Sequence, residues 1–201
     1  MNAPISSIHP ANLLTYASLG AGICSVAAAL QQNAAGAGAF LALAALADTF
    51  DGRFARLFSR NRELEALGVQ LDSLSDAVAF GAAPVTAVGI LLLADGGGPW
   101  APVWWLAAIA YAGCALTRLA CYNVSHETNG RAFVGLPTPV AALVWSSVLL
   151  ASPGIAGASL IAVMLGVGMV APIRISRPGG AGLTLFALWP LVLLVAHMAR
   201  P

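Results

Sequence analysis

Asp48-Thr49-Phe50-Asp51-Gly52-Arg53-Phe54-Ala55-Arg56 and, eleven residues later, Gly68-Val69-Gln70-Leu71-Asp72-Ser73-Leu74-Ser75-Asp76 decide how this chain is read. Six of its eight acidic residues lie between Asp48 and Asp76; the other two are Asp95 and Glu127. Glu63 and Glu65 fall in a polar interval with Arg60 and Arg62, whereas Asp48, Asp51, Asp72 and Asp76 lie inside or beside apolar runs. Carboxylates are costly within a membrane and mark function there by default.

The rest of the chain supplies that membrane setting. Hydrophobic residues make up 59% and charged residues 8% of 201 residues, against about 25% charged in a soluble domain. Apolar runs of about 20 residues cross the hydrocarbon core as helices. Such runs are expected at residues 13–30, 36–57, 67–93, 102–122, 136–151 and 155–172. A last apolar segment, 183–199, is either a seventh crossing or a segment that only dips in. Asp95-Gly96-Gly97-Gly98-Pro99 and Ser152-Pro153-Gly154 break the chain between spans. Residues 59–66 and 123–135 read as polar connections. The fold class is therefore all-α, a polytopic membrane helix bundle. Gly and Ala crowd the first spans, at Gly20, Ala21, Gly22, Ala42, Ala44, Ala45 and Ala47, and let helices approach closely.

Charge placement orients the bundle. All nine basic residues are Arg. With the N-terminus inside, eight of them fall at or near internal segments: Arg53, Arg56, Arg60, Arg62, Arg118, Arg131, Arg174 and Arg177. Only Arg200 falls outside, which is a strong positive-inside bias. The carboxylates then sit at the cytoplasmic face. Residues 1–10 carry no Lys or Arg and no small-residue cleavage site, so no removable signal peptide is expected. A net charge of +1 gives no reason to expect a nucleic-acid partner. Cys24, Cys114 and Cys121 lie in apolar runs and read as small buried hydrophobes. His9, His126 and His197 are assigned no chemistry.

Helical spacing groups the aspartates. Asp48, Asp51 and Ala55 share one helix face, with Gly52 and Arg56 beside it. Gly68, Asp72 and Asp76, at i, i+4 and i+8, share a face of the next helix. A hairpin brings the four carboxylates together, where they repel unless neutralised. Divalent cations with hard oxygen ligands, Mg²⁺ or Mn²⁺, do this. Two ions sharing carboxylates suit phosphoryl chemistry. Gly52 and Gly68 leave room for a bulky ligand, and Arg56 or Arg53 can pair with phosphate oxygens. Inert ion pairs with neighbouring arginines suit Glu63 and Glu65 but leave the aspartates unexplained. A cation transporter is the reading from another class. It would spread acids along a path and show paired repeats, and no internal repeat is evident.

The pattern Asp48-x-x-Asp51-Gly52-x-x-Ala55-Arg56…Gly68-x-x-x-Asp72-x-x-x-Asp76 resembles the signature of the CDP-alcohol phosphatidyltransferase family. Asn12 to Thr15, Leu71 to Pro84, Leu116 to Val124, Gly135 to Pro139 and Met169 to Arg174 resemble its phosphatidylserine synthase branch. The resemblance implies a six-span core over residues 1–177, followed by an extra hydrophobic segment at 178–201. It implies transfer of a phosphatidyl group from CDP-diacylglycerol to a small alcohol with release of CMP, in phospholipid biosynthesis. Serine is the favoured acceptor; glycerol phosphate, inositol phosphate or another alcohol are the alternatives.

By the same resemblance, Asp48, Asp51, Asp72 and Asp76 surround two Mg²⁺ or Mn²⁺ ions, and Asp76 is also the general base. Asn12, Thr15, Gly52, Ala55, Arg56 and Gly68 receive the CDP-lipid. Arg118, Asn123 and Arg131 are the candidate contacts for the acceptor alcohol, although Arg118 can equally snorkel to the interface. A homodimer in a bacterial inner membrane, with its active site at the cytoplasmic face, is also implied. Two departures stand out. The interval between Arg56 and Gly68 is three residues longer than the family pattern. Cys121 stands where the branch usually has a basic residue.

Overall fold

The computed structural model describes residues 8–94, 96–129, 133–175 and 180–200. A short 3₁₀ turn, Pro10–Asn12, leads into α1, Leu13–Leu30. Then follow α2 (Ala34–Ala55), α3 (Arg62–Asp76) and α4 (Ala83–Leu92). The remaining helices are α5 (Ala101–Asn129), α6 (Thr138–Ala151), α7 (Ile155–Val170) and α8 (Gly180–Met198). Among the described residues, four segments are long and apolar enough to cross a membrane by length and composition: Pro10–Leu30, Ala34–Ala55, Arg62–Leu92 and Gly98–Val124. Three shorter apolar helices accompany them: Thr138–Ala151, Ile155–Val170 and Ala187–Met198. The chain is thus a helical membrane bundle, as its composition led one to expect. One two-residue antiparallel ladder, β1 (Phe133–Val134) with β2 (Arg174–Ile175), joins the connections before α6 and after α7.

Two boundaries and the winding of one span differ from the sequence expectation, each for a local reason. α3 begins at Arg62, inside the expected polar connection, because Asn61 caps it by accepting the Leu64 N–H at 2.8 Å. Glu63 and Glu65 occupy its exposed first turn, where negative charge favours the helix dipole. α5 runs on to Asn129, since residues 123–129 contain neither Gly nor Pro to stop it. The third span is not uniformly α-helical: Ala77–Ala82, between α3 and α4, winds as a π-helix. Pro84 explains where this occurs. Its missing N–H cannot serve the carbonyl four residues back, Phe80, and its ring crowds that carbonyl.

Small residues and hydroxyls hold the helices together. α1 and α2 pack closely, and Ser18 and Ser25 Oγ donate to the carbonyls of Ala44 (3.1 Å) and Ala37 (2.9 Å). In membranes such interhelical bonds contribute about 0.6 kcal/mol each. Gly22 presses on the backbone of Ala79; an added Cβ would lie 2.7 Å from its Cα. α1 therefore abuts the π segment with no side chain between them. The core beyond is aromatic. Trp104, Tyr111 and Trp145 are fully buried and meet edge to face, at centroid separations of 5.9 and 5.8 Å.

α8 packs against α2 and α6. The buried His197 ring covers Gly38, and its Nε2 lies 3.2 Å from Ser146 Oγ and 3.1 Å from the Ser146 carbonyl. Ser146 Oγ donates in turn to the Gly38 carbonyl at 2.8 Å. Arg200 donates to the carbonyls of Leu149 and Leu150 at the end of α6. His197 and Arg200 thus have structural partners that no sequence spacing announces.

Candidate active site

The site forms where the C-terminal turns of α2 meet α3. Asp48 and Asp51 come from α2, Asp72 and Asp76 from α3. The hairpin does bring the two faces together. One oxygen from each of Asp48, Asp72 and Asp76 falls within 4.8 Å of the others. Asp72 lies against Asp51, and Asp76 against Asp48. Thr15 Oγ1 on α1 donates to Asp51 at 3.4 Å.

Burial decides what such a cluster needs. Asp76 is buried, and Asp48, Asp51 and Asp72 are half-buried. Carboxylates at contact distance, withdrawn from water, are stable only with a proton or a cation between them. All the donors are hard oxygens. Three such oxygens within 4.8 Å of one another can converge on one divalent ion, so the chemistry of the donor set fits Mg²⁺ or Mn²⁺.

Neighbouring side chains fix the acids. Ser75, between the two acids of α3, donates to the Thr15 carbonyl at 3.0 Å. Ser73 donates to Asn123 Oδ1 on α5 at 3.0 Å. α3 is thereby tied to α1 on one side and α5 on the other. A cavity of about 150 Å³ opens beside the acids. Asn12, Thr15, Asp51, Gly52, Ala55, Gly68 and Asp72 line it, with Ala11, Arg60 and Val69. Asn12 and Thr15 are themselves buried. A Cβ on Gly68 would lie 3.2 Å from the Arg60 guanidinium and 3.3 Å from Asn12 Oδ1, so a side chain there would crowd the cavity wall.

The expected site residues therefore sort by position. Asn12, Thr15, Gly52, Ala55 and Gly68 share the cavity wall. Arg56 is exposed and absent from that wall, where Arg60 stands instead. The sequence carried no signal for Arg60, because which arginine of the turn folds back depends on the path of residues 57–61. Arg118 lies on the other side of the cluster. It is buried on α5, interacts electrostatically with Asp76 and Asp48, and donates from Nη1 to Thr138 Oγ1 at 3.4 Å. Its Nε has no hydrogen-bond partner among the described residues, and its guanidinium carbon lies 5.9 Å from the Tyr122 ring centre. Asn123 contacts α3 through Ser73, as described. Arg131 lies outside the described residues. Asp51 and Asp72 thus face the cavity, while Asp48 and Asp76 lie toward a buried cation.

The sequence model of a family described as CDP-alcohol phosphatidyltransferase matches residues 8–172. The chain is 30% identical to a CDP-diacylglycerol–serine O-phosphatidyltransferase of Mycobacterium bovis, covering 92% of this chain and 69% of that protein. It is 30% identical to an archaetidylserine synthase of Methanothermobacter thermautotrophicus, over 85% of this chain and 71% of the relative. A Bacillus subtilis CDP-diacylglycerol–serine O-phosphatidyltransferase is 28% identical over 65% of this chain and 70% of its own.

Proposed function

The chain belongs to the CDP-alcohol phosphatidyltransferase family, an integral-membrane transferase, and from that premise we propose that it makes phosphatidylserine from CDP-diacylglycerol and serine. The observation that carries an anionic acceptor is Arg118, a buried cation beside Asp76 whose Nε has no hydrogen-bond partner among the described residues. An arginine so placed pairs with a carboxylate or a phosphate; serine carries the first, and a plain alcohol carries neither. The names of the relatives from Mycobacterium bovis and Methanothermobacter thermautotrophicus support the same acceptor.

In this reading the CDP moiety occupies the cavity between α1, α2 and α3. Asn12 and Thr15 offer polar contacts, Gly52 and Gly68 leave room, and Arg60 faces the nucleotide's phosphates. Serine enters on the Arg118 side. Asp76 takes the proton of its hydroxyl. The freed oxygen forms a bond to the phosphorus carrying the diacylglycerol, and the bond from that phosphorus to the CMP oxygen breaks. CMP leaves with the electron pair. Two Mg²⁺ or Mn²⁺ ions, held by Asp48, Asp51, Asp72 and Asp76, supply the positive charge that offsets these carboxylates and the pyrophosphate. Transfer is direct, since no side chain is placed as a covalent nucleophile in this reading. The arginines Arg53, Arg56, Arg60 and Arg62 support an orientation with this end of the bundle at the cytoplasmic face, and the bacterial relatives support a bacterial inner membrane.

The test is CMP release by purified protein given CDP-diacylglycerol, Mn²⁺ and a panel of acceptors. Serine is expected to be used, and glycerol phosphate and inositol phosphate are not. Arg118→Leu is expected to raise the KM for serine about 10-fold or more, the effect of losing one charged hydrogen-bond partner. Release driven by a phosphorylated acceptor instead would refute the serine assignment. No release with any acceptor would refute the transferase reading.

A further inference from the structure

The π segment Ala77–Ala82 begins directly after Asp76. Its origin lies in the sequence. In an α-helix the Phe80 carbonyl would accept the N–H of residue 84, but residue 84 is proline. The backbone responds by widening: the Ala83 N–H reaches five residues back, to the Val78 carbonyl. The Phe80 carbonyl then receives a donor from another helix. The Tyr111 hydroxyl, on α5 and fully buried, donates to it at 2.8 Å. The segment is gripped on two sides besides. Gly22 of α1 abuts Ala79, and Ala115 of α5 lies 3.5 Å from where Gly81 would carry a Cβ.

A π turn changes the angular phase between the helix before it and the helix after it. Before it stand Gly68, Asp72 and Asp76, which face the site. After it stand Val85, Ala87 and Val88, buried in the apolar core. The phase between these two faces therefore sets where the last carboxylate points when α4 is packed. We propose that Tyr111 is a positioning residue for the metal-carboxylate site. Its hydroxyl replaces the N–H that Pro84 lacks, holds the π turn open, and so fixes the direction of Asp76 and Asp72. Tyr111 touches neither substrate nor carboxylate; it acts through the Phe80 carbonyl. The effect on turnover rests on the transferase reading, whereas the effect on cation binding rests only on the carboxylate cluster.

The experiment compares the full-length wild type with Tyr111→Phe, Trp145→Phe and the double variant Tyr111→Phe/Pro84→Ala. Each is measured for Mn²⁺ affinity by electron paramagnetic resonance without substrate, for kcat and KM, and for melting temperature. Tyr111→Phe is expected to weaken Mn²⁺ binding and lower kcat about 10-fold each, as loss of a group that orients metal ligands does, with the KM for CDP-diacylglycerol little changed. Trp145→Phe keeps the hydroxyl, and is expected to lower melting temperature while leaving Mn²⁺ affinity intact. The double variant restores a backbone donor to Phe80. It is expected to regain melting temperature but neither Mn²⁺ affinity nor kcat, because an α-turn has the wrong phase. Unchanged Mn²⁺ affinity in Tyr111→Phe would overturn the proposal. So would an equal loss in Trp145→Phe, recovery of affinity together with stability in the double variant, or a wild type that binds no Mn²⁺. A wild type that binds Mn²⁺ yet releases no CMP would refute the transferase reading alone, and the Mn²⁺ affinities would still decide the role of Tyr111.

Discussion

Among the described residues Asp76 is the one buried acid, and it interacts with both Asp48 and the buried Arg118. Replacing it with Asn keeps its shape and removes both a negative charge and the proton acceptor. Asp76→Asn is expected to lower turnover by at least about 10²-fold, the usual contribution of a general base. CDP binding, followed by calorimetry, is expected to survive, because Asp51 and Asp72 rather than Asp76 line the cavity. Full turnover in this variant would remove Asp76 from its proposed role. The four aspartates were legible in the sequence because helical periodicity alone puts i, i+3 and i+4 positions on one face. Arg60 was not. It belongs to the connection between α2 and α3, where no period operates and the backbone path decides which side chain turns inward.

The helices were legible to within a few residues where an apolar run meets a Pro or Gly break, as at α6 and α7. They were less so where a polar stretch continues a helix, as at the start of α3 and the end of α5. The π segment was beyond reach for a different reason. Pro84 announces a disturbed turn, but the donor that stabilises it is 31 residues away on α5. The seating of α8 shares this character. His197 meets Gly38 across 159 positions of sequence, and only the absent side chain at residue 38 admits the imidazole. Gly38→Val places methyl groups where the ring lies. It is expected to destabilise the protein by about 1–3 kcal/mol, as overpacking in a filled core does. Thermal unfolding in detergent measures this, and an unaltered midpoint would show that α8 can rest elsewhere at no cost.

At the scale of the whole molecule, the four aspartates of the site and Arg60 and Arg118 gather at one end of the bundle, and Arg200 lies against the end of α6. The orientation this implies can be checked in cells. After Cys24, Cys114 and Cys121 are replaced by Ser, Arg62→Cys is expected to react with a membrane-impermeant maleimide only once the membrane is permeabilised. Gly154→Cys, in the exposed turn between α6 and α7, is expected to react in intact cells. The reverse pattern would place the site on the outer face. Composition made the helical bundle readable, since the bilayer restricts a chain to few forms. The aromatic core holds one more consequence. Trp145 is dry and lies edge-on to Tyr111, whose hydroxyl grips the segment next to Asp76. The chain thus carries its own optical probe: a cation or nucleotide that shifts this segment will alter ultraviolet emission from a tryptophan that touches neither, with no dye attached.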